Sequence, residues 1–213
     1  MKIGIIGAGF VGRAIGKLAA GAGHQVMLSN SRGPHTLFSL PHATGCQVGT
    51  VEEAATFGDI VIVAIPLSAY PSVPVKPLAD KVVIDANNYY PERDGHIPEL
   101  DQQETTSSEL LARHLPTSRI VKSFNAITMN DFETGGLPAN ALNRRALPIA
   151  GDDNEGKAIT TALLDSFGFD VVDAGPLSEG WRFERDTPVY CVSFNKKNLI
   201  TQLAATHRLA KDV

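Results

Sequence analysis

Three glycines in the run Gly7-Ala8-Gly9-Phe10-Val11-Gly12 are the residues whose spacing most directly suggests chemistry. A short apolar run, Ile3 to Ile6, precedes them. A small-residue helical pattern follows to Gly21, and then a second apolar run, Val26 to Leu28. In a strand, turn, helix, strand sequence each glycine has a physical task. Gly7 permits the tight turn, Gly9 lets a pyrophosphate approach bare backbone, and Gly12 lets the helix pack closely on the sheet. The free amides at the helix start would face the phosphates. The spacing also occurs in turns that bind nothing, and it is the strand before and the helix after that give it a mechanism here.

The end of the second strand bears on which dinucleotide is bound. An NAD site places an Asp or Glu about 20 residues past the glycines, on the ribose hydroxyls. Here the chain reads Ser29-Asn30-Ser31-Arg32, and the first acid after the glycines is Glu52. A carboxylate would repel a 2'-phosphate, whereas amide and hydroxyl donors with a guanidinium would bind it. NADP(H) is therefore preferred over NAD, with Asn30, Ser31 and Arg32 as candidates. The alternative is a polar turn with a solvated arginine; His35 beside it is expected to be exposed.

The elements that must hold these residues can be read along the chain. Gly33 to Leu40 suggests a turn and short helix, and Gly45 to Val48 a third strand. Thr50 and Glu53 have capping-box spacing for a helix through Phe57. Ile60 to Ile65 is apolar at every position, the mark of a central parallel strand covered on both faces. Pro66 ends it where the chain turns out over the sheet, so Ala64, Ile65, Pro66, Leu67 and Tyr70 are expected to border a ligand. A strand terminator and a core aromatic are the structural alternatives for Pro66 and Tyr70.

Ser68 to Leu78 suggests a helix interrupted by Pro71, Pro74 and Pro77. Lys81 to Ala86 reads as the fifth strand, Pro91 to Thr106 as a long surface loop, and Ser107 or Ser108 as the start of a helix through His114. Arg119 to Phe124 is the sixth strand. Asn87 and Asn125 then fall just past the ends of neighbouring strands, facing one crevice. A strand Ala146 to Ala150, a helix Asn154 to Phe167 and a strand Asp170 to Asp173 follow. The tail from Leu177 to Lys211 has helical period broken at Pro188, with Tyr190, Val192, Leu199, Leu203 and Leu209 as its packing face. Trp181 is expected to be an anchor.

At 213 residues the chain can hold one substantial core: a nucleotide-binding unit over residues 1–150 and an extension over 151–213. The net charge of -4 and the lack of a basic run argue against nucleic acid or an anionic membrane as partner. No stretch approaches the roughly 20 apolar residues of a membrane span, and Met1 runs straight into a core strand, so a cytoplasmic protein is expected. Cys46 and Cys191 lack CxxC spacing and read as packing residues. The histidines lack metal-ligand spacing.

Hydride transfer between a nicotinamide and a flavin-like ring needs mainly alignment, whereas reducing a carbonyl or imine needs a proton donor. The strand ends offer Asn87, Asn88 and Asn125, none with a transferable proton. Tyr89, Tyr90 and Lys122 are the nearby donors, and Lys122 lies inside a strand. Three readings follow: a reductase of a flavin-like ring, a reductase of a small imine or carbonyl using Tyr89 or Tyr90, and a non-catalytic NADPH-binding module.

Together, GIIGAGFVGRA, SNSR, the AIP ending the fourth strand, SFNAI, PIAGDDNEGK and DAGPLSEG resemble the NADP oxidoreductase, coenzyme F-420-dependent family over nearly the whole chain. The resemblance implies an α/β, Rossmann-type, doubly wound and mainly parallel sheet, here of about eight strands, with a C-terminal helical extension. It implies a homodimer in which NADPH exchanges hydride with a flavin or 5-deazaflavin as the small-molecule acceptor. By matching position, Gly7, Gly9, Phe10, Val11 and Gly12 would hold the pyrophosphate and Ser31 and Arg32 the 2'-phosphate; Ala8, within the glycine run, is a further cofactor-binding candidate. Ile65, Pro66 and Ala126 would lie at the nicotinamide end. Deazaflavin-reducing members carry histidine where this chain has Asn125, which leaves both ring systems open as acceptor.

Overall fold

A computed structural model describes residues 1–208. Leu209 and Lys211, placed in the tail's helical pattern above, lie outside the described residues. The first half of the chain contains β1 (Lys2–Ile6), α1 (Phe10–Gly21), β2 (Gln25–Ser29), α2 (Leu40–Thr44), β3 (Gln47–Gly49), α3 (Val51–Phe57), β4 (Ile60–Val63) and β5 (Val82–Asp85). There follow α4 (Pro91–Asp94), α5 (Pro98–Asp101), α6 (Ser107–His114), β6 (Arg119–Lys122), α7 (Met129–Thr134), β7 (Ala146–Gly151), α8 (Asn154–Ser166), β8 (Asp170–Asp173) and α9 (Lys196–Ala205).

The strands form one eight-stranded sheet in the order β3-β2-β1-β4-β5-β6-β7-β8. The first six are parallel, β7 runs antiparallel to β6 with Lys122 opposite Ala150, and β8 is parallel to β7. Strand order reverses between β1 and β4, the point at which open α/β sheets bind ligands past their carboxyl ends. Because β7 is reversed, its first residues lie at that same end of the sheet. β4 and β5 are buried at every position, and alternate residues feed two cores, Ile60 and Ile62 on one face and Val61 and Val63 on the other. The run of β-branched residues thus reads as a strand covered on both sides.

Local signals explain where helices start. The Thr50 side chain accepts from Glu53 N–H at 3.1 Å while Glu53 returns the bond to Thr50 N–H at 2.8 Å. Thr106 and Glu109 form a second capping box, which opens α6 at Ser107. Among the described residues no helix is long and apolar enough to cross a membrane.

Several expectations are corrected. β4 ends at Val63 and β6 at Lys122, so Ile65 and Phe124 lie in the loops beyond. Pro91 to Thr106 is not a plain loop: α4 and α5 each begin at a proline, whose fixed φ suits the first helical position. Ser68 to Leu78 forms two 3-10 turns, Leu67–Ser72 and Lys76–Leu78, because its prolines interrupt the bonding of an α-helix. In the tail a 3-10 helix over Leu177–Phe183 and an irregular stretch precede α9, so its helical period is not one continuous helix. α7, capped by Thr128, was not expected from the sequence.

Candidate nucleotide-binding crevice

The glycine turn has little freedom in its construction. Gly7 sits at φ +113°, donates to Ser29 C=O at 3.0 Å, and a Cβ there would meet the Ala64 carbonyl oxygen at 2.1 Å. A Cβ on Gly12 would meet the Gly7 carbonyl oxygen at 1.8 Å, so α1 can start this close to β1 only without a side chain. At Gly9 a Cβ would meet nothing within 4 Å, so this residue faces open space. Gly9 caps α1 with no side-chain bond, and the first turn contains no acid. The leading amides are thus unpaired by side chains and sit at the positive end of the helix dipole, a fit to a pyrophosphate. Ala8 is buried, Val11 packs on the core, and the Phe10 ring is 89% exposed. Arg13, unremarked in the sequence, donates through Nε to Ala8 C=O at 2.7 Å and pins the turn.

At the end of β2 the buried Ser29 hydroxyl donates to Ile5 C=O. Asn30 closes a local turn, its Oδ1 accepting from Arg32 N–H at 3.1 Å and its Nδ2 donating to Thr36 Oγ1 at 2.9 Å. Ser31, Arg32 and His35 are exposed. Among the described residues the Arg32 guanidinium has no hydrogen-bond or ion-pair partner, which leaves its donors available to a phosphate.

Past β4, Ala64 and Ile65 are half-buried and Pro66 is exposed. Tyr70 stands edge-on to His114, with ring centroids 5.8 Å apart, and packs on the second core cluster. Past β5, Asn87 is 2% exposed; its Oδ1 accepts from Ile65 N–H at 2.9 Å and its own N–H donates to Asp85 Oδ1 at 3.0 Å. Past β6, Phe124 adopts φ +65°, a conformation costly for a bulky residue. Its ring is held 5.5 Å from Phe132, which stacks on Phe169 at 5.3 Å, so an aromatic cluster holds the strained turn.

That turn aims Asn125, whose Nδ2 donates to Phe183 C=O at 2.9 Å and to Asn88 Oδ1 at 3.2 Å, while Asn88 donates back to Asn125 C=O. Among the described residues Asn87 Nδ2 and Asn125 Oδ1 are left buried without partners, one a donor and the other an acceptor. Such orphans are rare in native interiors and fit a ligand that supplies both complements. Ala126 is buried, 5% exposed. The structure therefore gathers the predicted glycine, β2-end, β4-end and asparagine residues at one end of the sheet, with Tyr70 packed against His114 beside them.

The sequence names Lys122, Tyr89 and Tyr90 as donors but not the bonds that hold them. Lys122 is wholly buried and donates to Ser107 Oγ at 2.8 Å, Ser108 Oγ at 3.1 Å and Asn87 C=O at 3.3 Å, with Glu184 Oε1 at 3.2 Å and Asp85 Oδ2 at 3.9 Å. Burial pushes the Asp85 carboxyl above its usual range, against the pull of Lys122 and the Ser108 bond. Burial also pushes Glu184 upward, but Lys122 and the Ser107 bonds outweigh it and hold that carboxyl below its usual range.

The Tyr89 hydroxyl is fully engaged, with Asp101 Oδ1 at 2.7 Å, Gly95 C=O at 3.1 Å and Ile97 N–H at 2.8 Å. The Tyr90 hydroxyl lies 2.5 Å from that of Tyr190, and the Arg93 and Arg185 guanidiniums sit 4.7 and 5.1 Å from the Tyr90 ring centre. A lysine following the apolar pair Ile120-Val121 was the sequence signal for the first of these networks. Among the described residues no cluster of His, Cys, Asp and Glu is arranged to hold a metal ion.

If Arg32 reads a 2'-phosphate, Arg32→Ala should weaken NADPH binding by about 1.5 to 3 kcal/mol, the range for hydrogen bonds to charged groups, and leave NADH nearly unchanged. Calorimetric titration with both nucleotides measures it. Equal losses would assign Arg32 no part in phosphate recognition.

The Escherichia coli K12 protein YjhV is 33% identical over 64 residues, a match spanning 30% of this chain and 47% of that protein, so this chain covers about half the length of that curated relative. The hypothetical protein SMa0349 from Sinorhizobium meliloti superposes with a TM-score of 0.77 at 25% identity, over 92% of this chain and 95% of that one. A proposed F420-dependent NADP reductase from Arthrobacter sp. FB24 superposes with a TM-score of 0.71 at 24% identity, over 83% and 85% of the two chains, a likeness of fold. Residues 2–89, which carry the glycine turn, the Arg32 turn and Asn87, match the profile described as NADP oxidoreductase coenzyme F420-dependent, a similarity confined to this segment.

Proposed function

We propose that this protein is an NADPH-dependent reductase that passes hydride to a flavin or 5-deazaflavin ring. The observation that carries the reading is what the strand ends hold. Asn87, Asn88 and Asn125 are amides that bind and orient, and two of the three nearby proton donors are committed elsewhere: Lys122 inside the fold and Tyr89 to Asp101, Gly95 and Ile97. A site built this way aligns two rings and leaves the redox chemistry to them.

Bound NADPH would supply the hydride. The α1 amides would hold its pyrophosphate and Arg32 its 2'-phosphate. The unpaired Asn87 Nδ2 and Asn125 Oδ1 are complementary to the carbonyl and amino groups of a carboxamide, which suits the nicotinamide end. Anaerobic mixing with NADPH and FMN, FAD or a 5-deazaflavin in turn, followed by nicotinamide absorbance, tests the reading. Oxidation by at least one ring is expected. Tight NADPH binding with no oxidation by any ring would contradict it and favour a binding module.

One observation supports a second reading, reduction of a small imine or carbonyl. Tyr90 is the one tyrosine of the adjacent pair whose hydroxyl is not bound to a carboxylate, and it shares its bond with Tyr190. Burial and that bond push the Tyr190 hydroxyl well above its ordinary value, so Tyr190 keeps its proton and can support Tyr90 as the donor. On this reading Tyr90→Phe lowers turnover of such an acceptor by about 100-fold or more, the range for a lost general acid, at unchanged NADPH affinity, while Tyr89→Phe does not. Equal turnover in wild type and Tyr90→Phe would reject it.

A further inference from the structure

Lys122 is a full positive charge with no exposed surface, placed at the end of a strand where an apolar residue would pack more simply. Burying an ammonium is costly unless it is paired and fully bonded, and replacing such a group by a hydrophobe is often neutral. Stability alone therefore gives a weak account of it. Its surroundings are specific. A Cβ on Gly180 would meet Lys122 Cδ at 2.7 Å, so that residue of the 3-10 helix is bare where the lysine stem passes. Ser107 and Ser108, the first residues of α6, receive Nζ, and Glu184, from the segment after that 3-10 helix, bonds to both Ser107 and Lys122.

The same ammonium also bonds to the backbone oxygen of Asn87. Asn87 is thereby held at three points: its C=O by Lys122, its N–H by Asp85 Oδ1 and its Oδ1 by Ile65 N–H. Asp85 is in turn fixed by Ser108, at 2.5 Å. Asn87 Nδ2 is left buried with no partner among the described residues. A residue fixed at every polar atom but one presents that donor in a single direction.

We propose that Lys122 is a positioning residue for the nicotinamide half of NADP(H): through Asn87 it aims the free amide donor at a carbonyl or hydroxyl acceptor of the bound nucleotide. This rests on the placement of the nicotinamide end beside Asn87 proposed above. It does not depend on which acceptor takes the hydride.

The test compares the affinities of NADPH and of 2',5'-ADP, which keeps the adenosine and 2'-phosphate but lacks the nicotinamide. Asn87→Ala and Lys122→Met should each weaken NADPH by about 3- to 10-fold, the equivalent of one neutral hydrogen bond, and leave 2',5'-ADP unchanged. The double variant should lose no more than Asn87→Ala, because the lysine acts through the asparagine. A merely structural lysine would weaken both ligands together. If Lys122→Met does not fold, Ser107→Ala/Ser108→Ala loosens the ammonium with every charge kept, and the same selective loss is expected.

Equal loss for both ligands, full additivity with Asn87→Ala, or no change in NADPH affinity in the lysine or serine variants would overturn the role of Lys122. No effect of Asn87→Ala on NADPH would remove the nicotinamide placement itself, and the proposal with it.

Discussion

The approach of α1 to β1 is the constraint on which the crevice depends. With the Gly7 carbonyl oxygen where a Gly12 Cβ would stand, the helix begins over the strand end with its first amides facing outward. Gly7 can turn there only at positive φ and only because the neighbouring Ala64 carbonyl meets no side chain. One contact between bare backbones therefore sets the direction of the helix dipole and the anion position. It also sets the distance from β1 to the loop after β4. Electrostatics adds the rest: no acid in the first turn, and a guanidinium at the end of β2 that is unpaired among the described residues.

Across the crevice the fold solves a different problem. β4, β5 and β6 are buried on both faces, so the polar groups past their ends need partners away from bulk water. The chain supplies them by interlocking three distant segments. Asn87 binds the β4 loop, Asn125 binds Phe183 C=O, and Glu184 binds the start of α6 and the buried lysine. The C-terminal extension is thus part of the wall of the crevice. The strained backbone at Phe124, held by the aromatic cluster of Phe132, Phe167 and Phe169, belongs to the same wall.

Features with local causes were legible in the sequence. The glycine turn, the Thr50 capping box and the all-apolar β4 each follow from neighbours a few residues apart, and the structure has all three. The positions of Asn87 and Asn125 could be inferred from strand ends, but their bonds could not, since Phe183 lies 58 residues beyond Asn125. Tyr190 looked like a packing residue because its partner is 100 residues away. The short helices α4 and α5 are single turns with no apolar period to detect. Lys122 broke the strand's pattern visibly, yet which groups neutralise it depends on how α6 and the segment around Glu184 fold over it.

The central claim is that the whole dinucleotide lies along the carboxyl ends of β2, β1, β4, β5 and β6, with its phosphate-bearing ribose at Arg32 and its carboxamide at the paired asparagines. A crystal structure with NADP+ tests it most directly. The account predicts the 2'-phosphate on Arg32, the pyrophosphate over the amides of Phe10 to Gly12, and the carboxamide bonded to Asn87 Nδ2 and Asn125 Oδ1. A nucleotide bound in the opposite direction, or one that leaves both asparagine atoms unpaired, would contradict it.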